Sequence, residues 1–342
     1  MIQTDVIIVG GGPAGAACAW SLTQNNVDCL ILDQHRFPRL KPCAGWITPE
    51  VLQDLDLNIS DYPYGLTTFT SLHISIRGFK FRFPTRQYAI RRYEFDEWLL
   101  HRAGAAVQVH EVKTITQVRN GYIVDGEFFS KYLVGAGGTH CPVYRTFFKT
   151  ASPRAKESLI VAQEEEFPYA YTDEHCRLWF FENNLPGYAW YVPKADGYVN
   201  VGLGAKAEQL KANGDTLKNH WNRLVEKLDK LGLVRDHVFK PKGYSYYLRQ
   251  NYPEVRRDNA FVVGDAAGLA TLDMGEGIGP AIKSGLLAAQ AIIHDADYSV
   301  ASIPKYSLRS LIRLGSALPS ARARSADQPA MRQQGRWLYP KR

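Results

Sequence analysis

The chain has 342 residues, 45% of them hydrophobic, with 41 Lys and Arg against 34 Asp and Glu. That excludes a disordered or low-complexity chain and leaves enough apolar material for one large domain or two interleaved ones. The net charge of +7 is unevenly placed: residues 301–342 hold nine bases and one acid, a balance of +8, and the first 300 residues come to −1. A body without net positive charge or a recognised motif disfavours nucleic-acid binding.

In chain order, Asp5-Val-Ile-Ile-Val-Gly10 is a short β-branched run that breaks into Gly10-Gly-Gly12-Pro13-Ala14-Gly15. Small residues at helical spacing follow, Ala16 to Leu22, then a turn at Asn25-Asn26 and a second strand, Asp28 to Asp33. Strand, glycine-rich turn, helix and acid-terminated strand within about thirty residues form a dinucleotide-binding unit. Gly10 makes the tight turn, Gly12 lets a pyrophosphate approach the backbone, and Gly15 lets helix and strand pack closely. The helix N-terminus offers N–H groups and a positive dipole end to phosphate, and Asp33 is placed for ribose hydroxyls.

Residues 151–252 carry nine Tyr, four Phe and three Trp, above the chain average of 12% aromatic. They sit in strand-like stretches such as Arg177–Glu182 and Tyr198–Gly204, which suits a large sheet whose aromatic face is either core or the wall of an apolar cavity. Thr216–Leu231 reads as a helix with a core stripe at Leu217, Trp221, Leu224, Val225 and Leu228. A further nucleotide-like unit follows: the strand Asn259–Val263 ends in Gly264-Asp265, then come Gly268, the turn Gly275-Glu-Gly277-Ile278-Gly279 and a small-residue helix from Pro280 to about Ile293. One ligand touched by both ends of the chain would account for both glycine-rich sites.

The five cysteines (Cys18, Cys29, Cys43, Cys141, Cys176) are scattered, with no Cys-x-x-Cys pair and no Cys/His cluster at zinc spacing, so neither a disulfide framework nor a metal site is expected. With no basic leader before the first strand and no apolar run near the ~18 residues of a membrane span, the reading is a reduced, cytoplasmic protein. Beyond the body, Ile303–Leu318 interleaves apolar residues with Lys305, Arg309 and Arg313. Either it lies on an anionic membrane surface or it packs on the body as a solvated helix; from Pro319 onward the composition reads as disordered.

Together, Gly10-Gly-Gly-Pro-Ala-Gly15 with Asp33, the loop Phe37-Pro-Arg39-Leu-Lys41-Pro-Cys43-Ala44-Gly45, Arg92-Tyr-Glu-Phe95-Asp96, Gly187-Tyr188-Ala-Trp190-Tyr191-Val-Pro193-Lys194 and Gly264-Asp-Ala-Ala-Gly268 with Gly275-Glu-Gly277-Ile278 resemble the geranylgeranyl reductase family. That family belongs to the FAD-dependent oxidoreductases with the p-hydroxybenzoate hydroxylase fold, and the resemblance covers roughly residues 1–295. It implies an α/β fold: a Rossmann-like FAD-binding domain with a parallel sheet (1–68, 85–150 and 253–298), a substrate domain on a large antiparallel sheet (69–84 and 151–252), and a basic tail (299–342), partly helical and then disordered.

The resemblance implies that Gly10, Gly12, Pro13, Ala14 and Gly15 face the FAD pyrophosphate, with Asp33 on the ribose and Arg36 near the adenine. It places Lys41, Ala44, Gly45 and Arg92 by the flavin nucleotide, Gly264 and Asp265 at the ribityl chain, and Gly275, Gly277 and Ile278 against the ring. Cys43 is the catalytic candidate, with the small buried hydrophobe as its other reading, and Tyr188, Trp190, Tyr191 and Pro193 would line the pocket. Ala44 stands where the family has Gly, and Val192 where it has Phe. Gly137 stands where aromatic hydroxylases carry an Asp that helps receive NADPH, which leaves the electron donor as either transiently bound NAD(P)H or a reduced protein carrier.

The implied activity is hydride transfer from reduced flavin N5 to a carbon–carbon double bond of an isoprenoid or similarly apolar small molecule. Two alternatives are a flavin-dependent monooxygenase or halogenase, whose Trp-x-Trp-x-Ile-Pro signature is similar to residues 188–193, and a non-catalytic flavin-binding redox module.

Overall fold

The computed structural model describes residues 1–251 and 253–307. In chain order the main elements are β1 (Ile2–Val9), α1 (Pro13–Gln24), β2 (Cys29–Asp33), β3 (Trp46–Ile47), α2 (Pro49–Asp54), β4 (Thr67–Ile76), β5 (Phe79–Ala89), α3 (Arg92–Arg102), β6 (Ala106–Val109), β7 (Ile115–Val118), β8 (Gly121–Val124) and β9 (Phe128–Gly135). They continue with β10 (Leu159–Pro168), β11 (Cys176–Phe180), β12 (Gly187–Lys194), β13 (Tyr198–Lys206), α4 (Ala207–Ala212), α5 (Leu217–Lys230), β14 (Lys242–Tyr247), β15 (Arg256–Arg257), β16 (Ala260–Val262) and α6 (Ile278–Ile293).

The strands form two eight-stranded sheets. In the first, β16, β9, β1, β2 and β6 run parallel in that order, and β15, β8 and β7 add antiparallel pairs. Val6 to Val9 and all of β2 are buried, which is why these strands read as unbroken apolar runs instead of alternating ones. The helices α1, α3 and α6 pack together beside this sheet. A mixed α/β fold with a Rossmann-like parallel sheet is thus present.

The second sheet has the order β14-β10-β13-β12-β11-β4-β5-β3, antiparallel except for the β11–β4 pair. Alternation divides its side chains into two cores. Tyr191, Val199, Val201 and Leu203 lie under α5, packed with Trp221, Leu224 and Leu228. Leu72, Ile74, Leu178, Trp190 and Val192 lie on the other face with Ala44 and Met274. The helix α5 forms where its spacing predicts, and Thr216 Oγ1 accepts the Asn219 N–H at its start. All of β4 and β5 belongs to this sheet and β3 joins it, so its early excursion is wider than residues 69–84.

Residues 299–307 run against the body without helix or strand. The Arg249 guanidinium, 5% exposed, donates to the carbonyls of Val300 and Ile303, each at 2.5 Å. The expected helical continuation to Leu318 and the disordered stretch from Pro319 fall outside the described residues. Among the described residues no helix is long and apolar enough to cross a membrane.

Candidate active site

A cavity of about 360 Å³ opens where the carboxyl ends of β1 and β2 meet the N-termini of α1 and α6. At its floor the chain leaves β1 through Gly10, whose φ of +111° and whose missing Cβ, which would sit 2.5 Å from the Ala136 carbonyl oxygen, admit only glycine. Gly12 caps α1, and no side chain caps that helix end. Its leading N–H groups are therefore free for an anion. Asp33 is buried at the tip of β2. Its Oδ2 accepts the Gly11 N–H at 2.7 Å and its Oδ1 the His35 N–H at 2.8 Å, which fixes the carboxylate at the cavity wall.

From α3, Arg92 reaches the cavity with its guanidinium held by Asp96, Nε to Oδ1 at 2.6 Å and Nη2 to Oδ2 at 2.7 Å. Burial alone would lower the Arg92 pKa, but the fully buried Asp96 carboxylate overrides it and keeps the guanidinium charged. Arg39 lines the same wall 3.6 Å from Asp96. Opposite, Asp265, Gly275, Gly277 and Ile278 line the cavity, and at the start of α6 Glu276 Oε1 accepts the Gly279 N–H at 2.6 Å. The uncapped start of α1, the guanidiniums of Arg39 and Arg92 and the carboxylates of Asp33 and Asp265 form a set that suits a dinucleotide with sugar hydroxyls and a pyrophosphate.

The loop 41–45 forms the roof. Lys41 and Cys43 face the cavity, and the Cys43 peptide is held from below by the second sheet. Its N–H donates to Glu164 Oε1, and its carbonyl accepts from Asn200 Nδ2 at 3.4 Å. Trp190 Nε1 donates to Asn200 Oδ1 at 2.7 Å. Burial pushes the Cys43 thiol up, opposed by the Arg92 charge. Glu164, 4% exposed, is pushed up to about 7 by burial, opposed by Lys194, and its Oε2 has no hydrogen-bond partner among the described residues. Tyr244 and Tyr246, stacked 5.8 Å apart, complete the wall beside Cys43.

The cavity thus gathers Gly10, Gly12, Pro13, Ala14, Asp33, Lys41, Cys43, Arg92, Asp265, Gly275, Gly277 and Ile278. Other expected residues stand elsewhere. Gly15 and Gly264 are buried supports; a Cβ on Gly15 would lie 1.9 Å from the Gly10 carbonyl oxygen. Arg36 is exposed on the loop after β2 and does not line the cavity. Ala44 packs on the apolar face of the second sheet and has no positive φ, so its replacement of glycine costs no strain. The position that demands glycine is Gly45, at φ +69° and against the Ile90 carbonyl.

Tyr188 packs just behind the cavity wall, its hydroxyl donating to the Met274 carbonyl at 2.5 Å. Expecting Tyr188, Trp190, Tyr191 and Pro193 on one wall needs correction, because successive strand residues point to opposite faces. Tyr191 lies in the core under α5, and Pro193 shares its parity, away from the cavity. Trp190 is buried and acts on the site through Asn200.

Arg39, Glu164, Tyr244 and Tyr246 were not singled out by the sequence. Alternation carried a signal for three of them: Glu164 shares parity with apolar Ala162, and Tyr244 and Tyr246 are two apart in β14.

The residues 8–80 match a family model for an NAD(P)-binding Rossmann-like domain. An uncharacterised protein of Methanosarcina barkeri is 32% identical over 313 residues, 85% of this chain and 75% of the relative. Digeranylgeranylglycerophospholipid reductase 2 of Methanopyrus kandleri is 26% identical over 331 residues, 90% and 82%. The chain belongs to the geranylgeranyl reductase family. As a member of that family it is an FAD-dependent oxidoreductase. The reductase fold agrees: a geranylgeranyl bacteriochlorophyll reductase-like protein of Thermoplasma acidophilum superposes with a TM-score of 0.75 at 21% identity, covering 92% of this chain and 83% of that one.

Proposed function

We propose that this protein reduces a carbon–carbon double bond in an isoprenoid or similarly apolar molecule. The observation that carries the reading is the place of Cys43, whose thiol-bearing residue lines the dinucleotide cavity while its peptide is pinned to the apolar face of the second sheet. Reduced FAD held in this cavity would supply a hydride for one alkene carbon. Cys43, kept protonated at Sγ by burial, supplies the proton to the other, and the Arg92 charge opposes the cost of the thiolate left behind. Water then restores the proton. Glu164, Asn200 and Trp190 hold the peptide of that loop, so the acid is positioned before substrate arrives.

For the cofactor we propose that Gly12, Ala14, Arg39 and Arg92 hold the pyrophosphate, Asp33 the ribose and Asp265 the ribityl chain. The N-terminal end of α6 would then offer its dipole where negative charge gathers on reduction. Gly137, which brings no carboxylate to its own place on the cavity wall, supports a donor that is either transiently bound NAD(P)H or a reduced protein carrier.

The test is anaerobic: reduced holoprotein mixed with a polyprenyl alkene is expected to regain its oxidised absorbance with one equivalent of saturated product. No reoxidation by any polyprenyl alkene, or product formed only with oxygen, overturns the reading in favour of a redox module or a monooxygenase or halogenase.

A further inference from the structure

The hairpin β4–β5 projects a surface that the reaction does not use. Phe79 is 81% exposed, Phe81 44% and Ile76 39%, and Phe181 beside them is 46% exposed. Pairing puts Phe79 opposite Ile76 and Phe81 opposite Ile74, on the face that also carries Phe83 and Leu72. Across β11 and β12 the same rows continue through Phe180 to Tyr188 and through Leu178 to Trp190. An apolar track therefore runs on one sheet face from the hairpin tip to the wall behind Cys43. The opposite face of the hairpin is basic: Lys80 and Arg82 alternate with the phenylalanines, Arg77 sits at the turn, and all three are exposed. Between Asp61 and Glu94 the chain has no acid. Glu182, across the sheet, is occupied by Ser75 and Lys227, and Asp173 by His175 and Arg177.

A contiguous apolar patch of this kind marks an interaction site, and its pairing with unopposed cations selects the partner. A hairpin with one apolar and one basic face is the strand counterpart of an interfacial amphipathic helix. We propose that the β4–β5 hairpin docks the protein on an anionic lipid surface, with Ile76, Phe79 and Phe81 in the acyl boundary and Arg77, Lys80 and Arg82 among the headgroups. Long basic side chains reach outward to headgroups from such a position. The docked protein presents its apolar track to the bilayer, so an apolar substrate reaches the cavity without crossing water. This last step rests on the reaction proposed above; the docking itself does not.

The test is flotation of FAD-loaded, full-length protein with vesicles of phosphatidylcholine alone or with phosphatidylglycerol. Wild type is expected to float with the anionic vesicles, less so at high salt and least with phosphatidylcholine alone. Phe79→Ser with Phe81→Ser, and separately Arg77→Glu with Lys80→Glu, are expected to weaken binding at least tenfold with unchanged flavin content and melting temperature. Both pairs are surface changes at a hairpin tip, so folding is checked by those two readouts. Absence of wild-type binding, or equal binding by the folded variants, overturns the proposal. Because flotation needs no turnover, failure here is distinct from failure of the reductase reading.

Discussion

At the scale of single residues, Cys43 is the acid of the proposed reaction and Glu164 accepts its peptide N–H. A residue that protonates substrate is worth about 10²–10⁴ in rate, so Cys43→Ala is expected to lower the anaerobic reoxidation rate by about 10²-fold or more, with flavin content unchanged by absorbance. A rate within threefold of wild type would return Cys43 to the role of a small core residue. Glu164 makes a separate, thermodynamic prediction. Its carboxyl is raised from 4.5 to about 7 in the folded state, so between those values the folded chain binds the extra proton. Its favourable contribution is complete below pH 4.5 and is lost as pH rises through 7, roughly 3 kcal/mol at most. Glu276, also raised to about 7 by burial, acts in the same direction and persists in the variant. Wild type is therefore expected to lose denaturant stability from pH 5 to pH 8, and Glu164→Gln to lose measurably less. An identical pH dependence would mean that Glu164 does not titrate as its burial requires.

At the scale of elements, strand parity separates stability from chemistry. Leu228 is fully buried in α5 beneath the second sheet, on the side away from the cavity. Leu228→Ala is expected to cost about 2–5 kcal/mol in urea denaturation while the folded protein keeps its flavin. Flavin loss from a variant still folded by circular dichroism would show the two faces to be coupled. The same parity explains how far the sequence could be read. Periodicity located β1, α1, β2, α5 and α6 because each carries its own signal: an unbroken apolar run between glycines, small residues at helical spacing, or an amphipathic stripe. The turns around Gly10 and Gly277 were legible because backbone conformation and close approach demand particular residues. What links distant segments was not. Glu164 lies 121 positions from the Cys43 N–H it accepts, and no local pattern announces a contact that a sheet register creates. Tyr191 and Pro193 were misplaced because a motif written as a string hides the alternation of its faces.

The whole molecule brings two segments more than 250 residues apart to one cavity, and glycine makes their approach possible. A Cβ on Gly285 of α6 would lie 2.2 Å from the Ala14 carbonyl oxygen, and one on Gly264 would lie 3.1 Å from the Ala14 Cβ. The helices α1 and α6 therefore touch backbone to backbone, and that contact aims both N-termini into the same space. A ligand held between them stabilises the folded chain by mass action, so removal of flavin is expected to lower the melting temperature and to speed hydrogen exchange at residues 13–16 and 275–280 together. Gly285→Ala isolates the geometry from the contacts. Alanine favours a helix interior over glycine by about 0.5–1 kcal/mol, so helix propensity alone predicts a more stable protein. The Ala14 contact predicts the reverse: α6 must shift away from α1, the two N-termini diverge, and flavin affinity falls although no residue lining the cavity has changed. Flavin content after purification and titration of the apoprotein with FAD decide between them. Tighter binding or a higher melting temperature in the variant would show that the spacing of the two helices does not set the cofactor site.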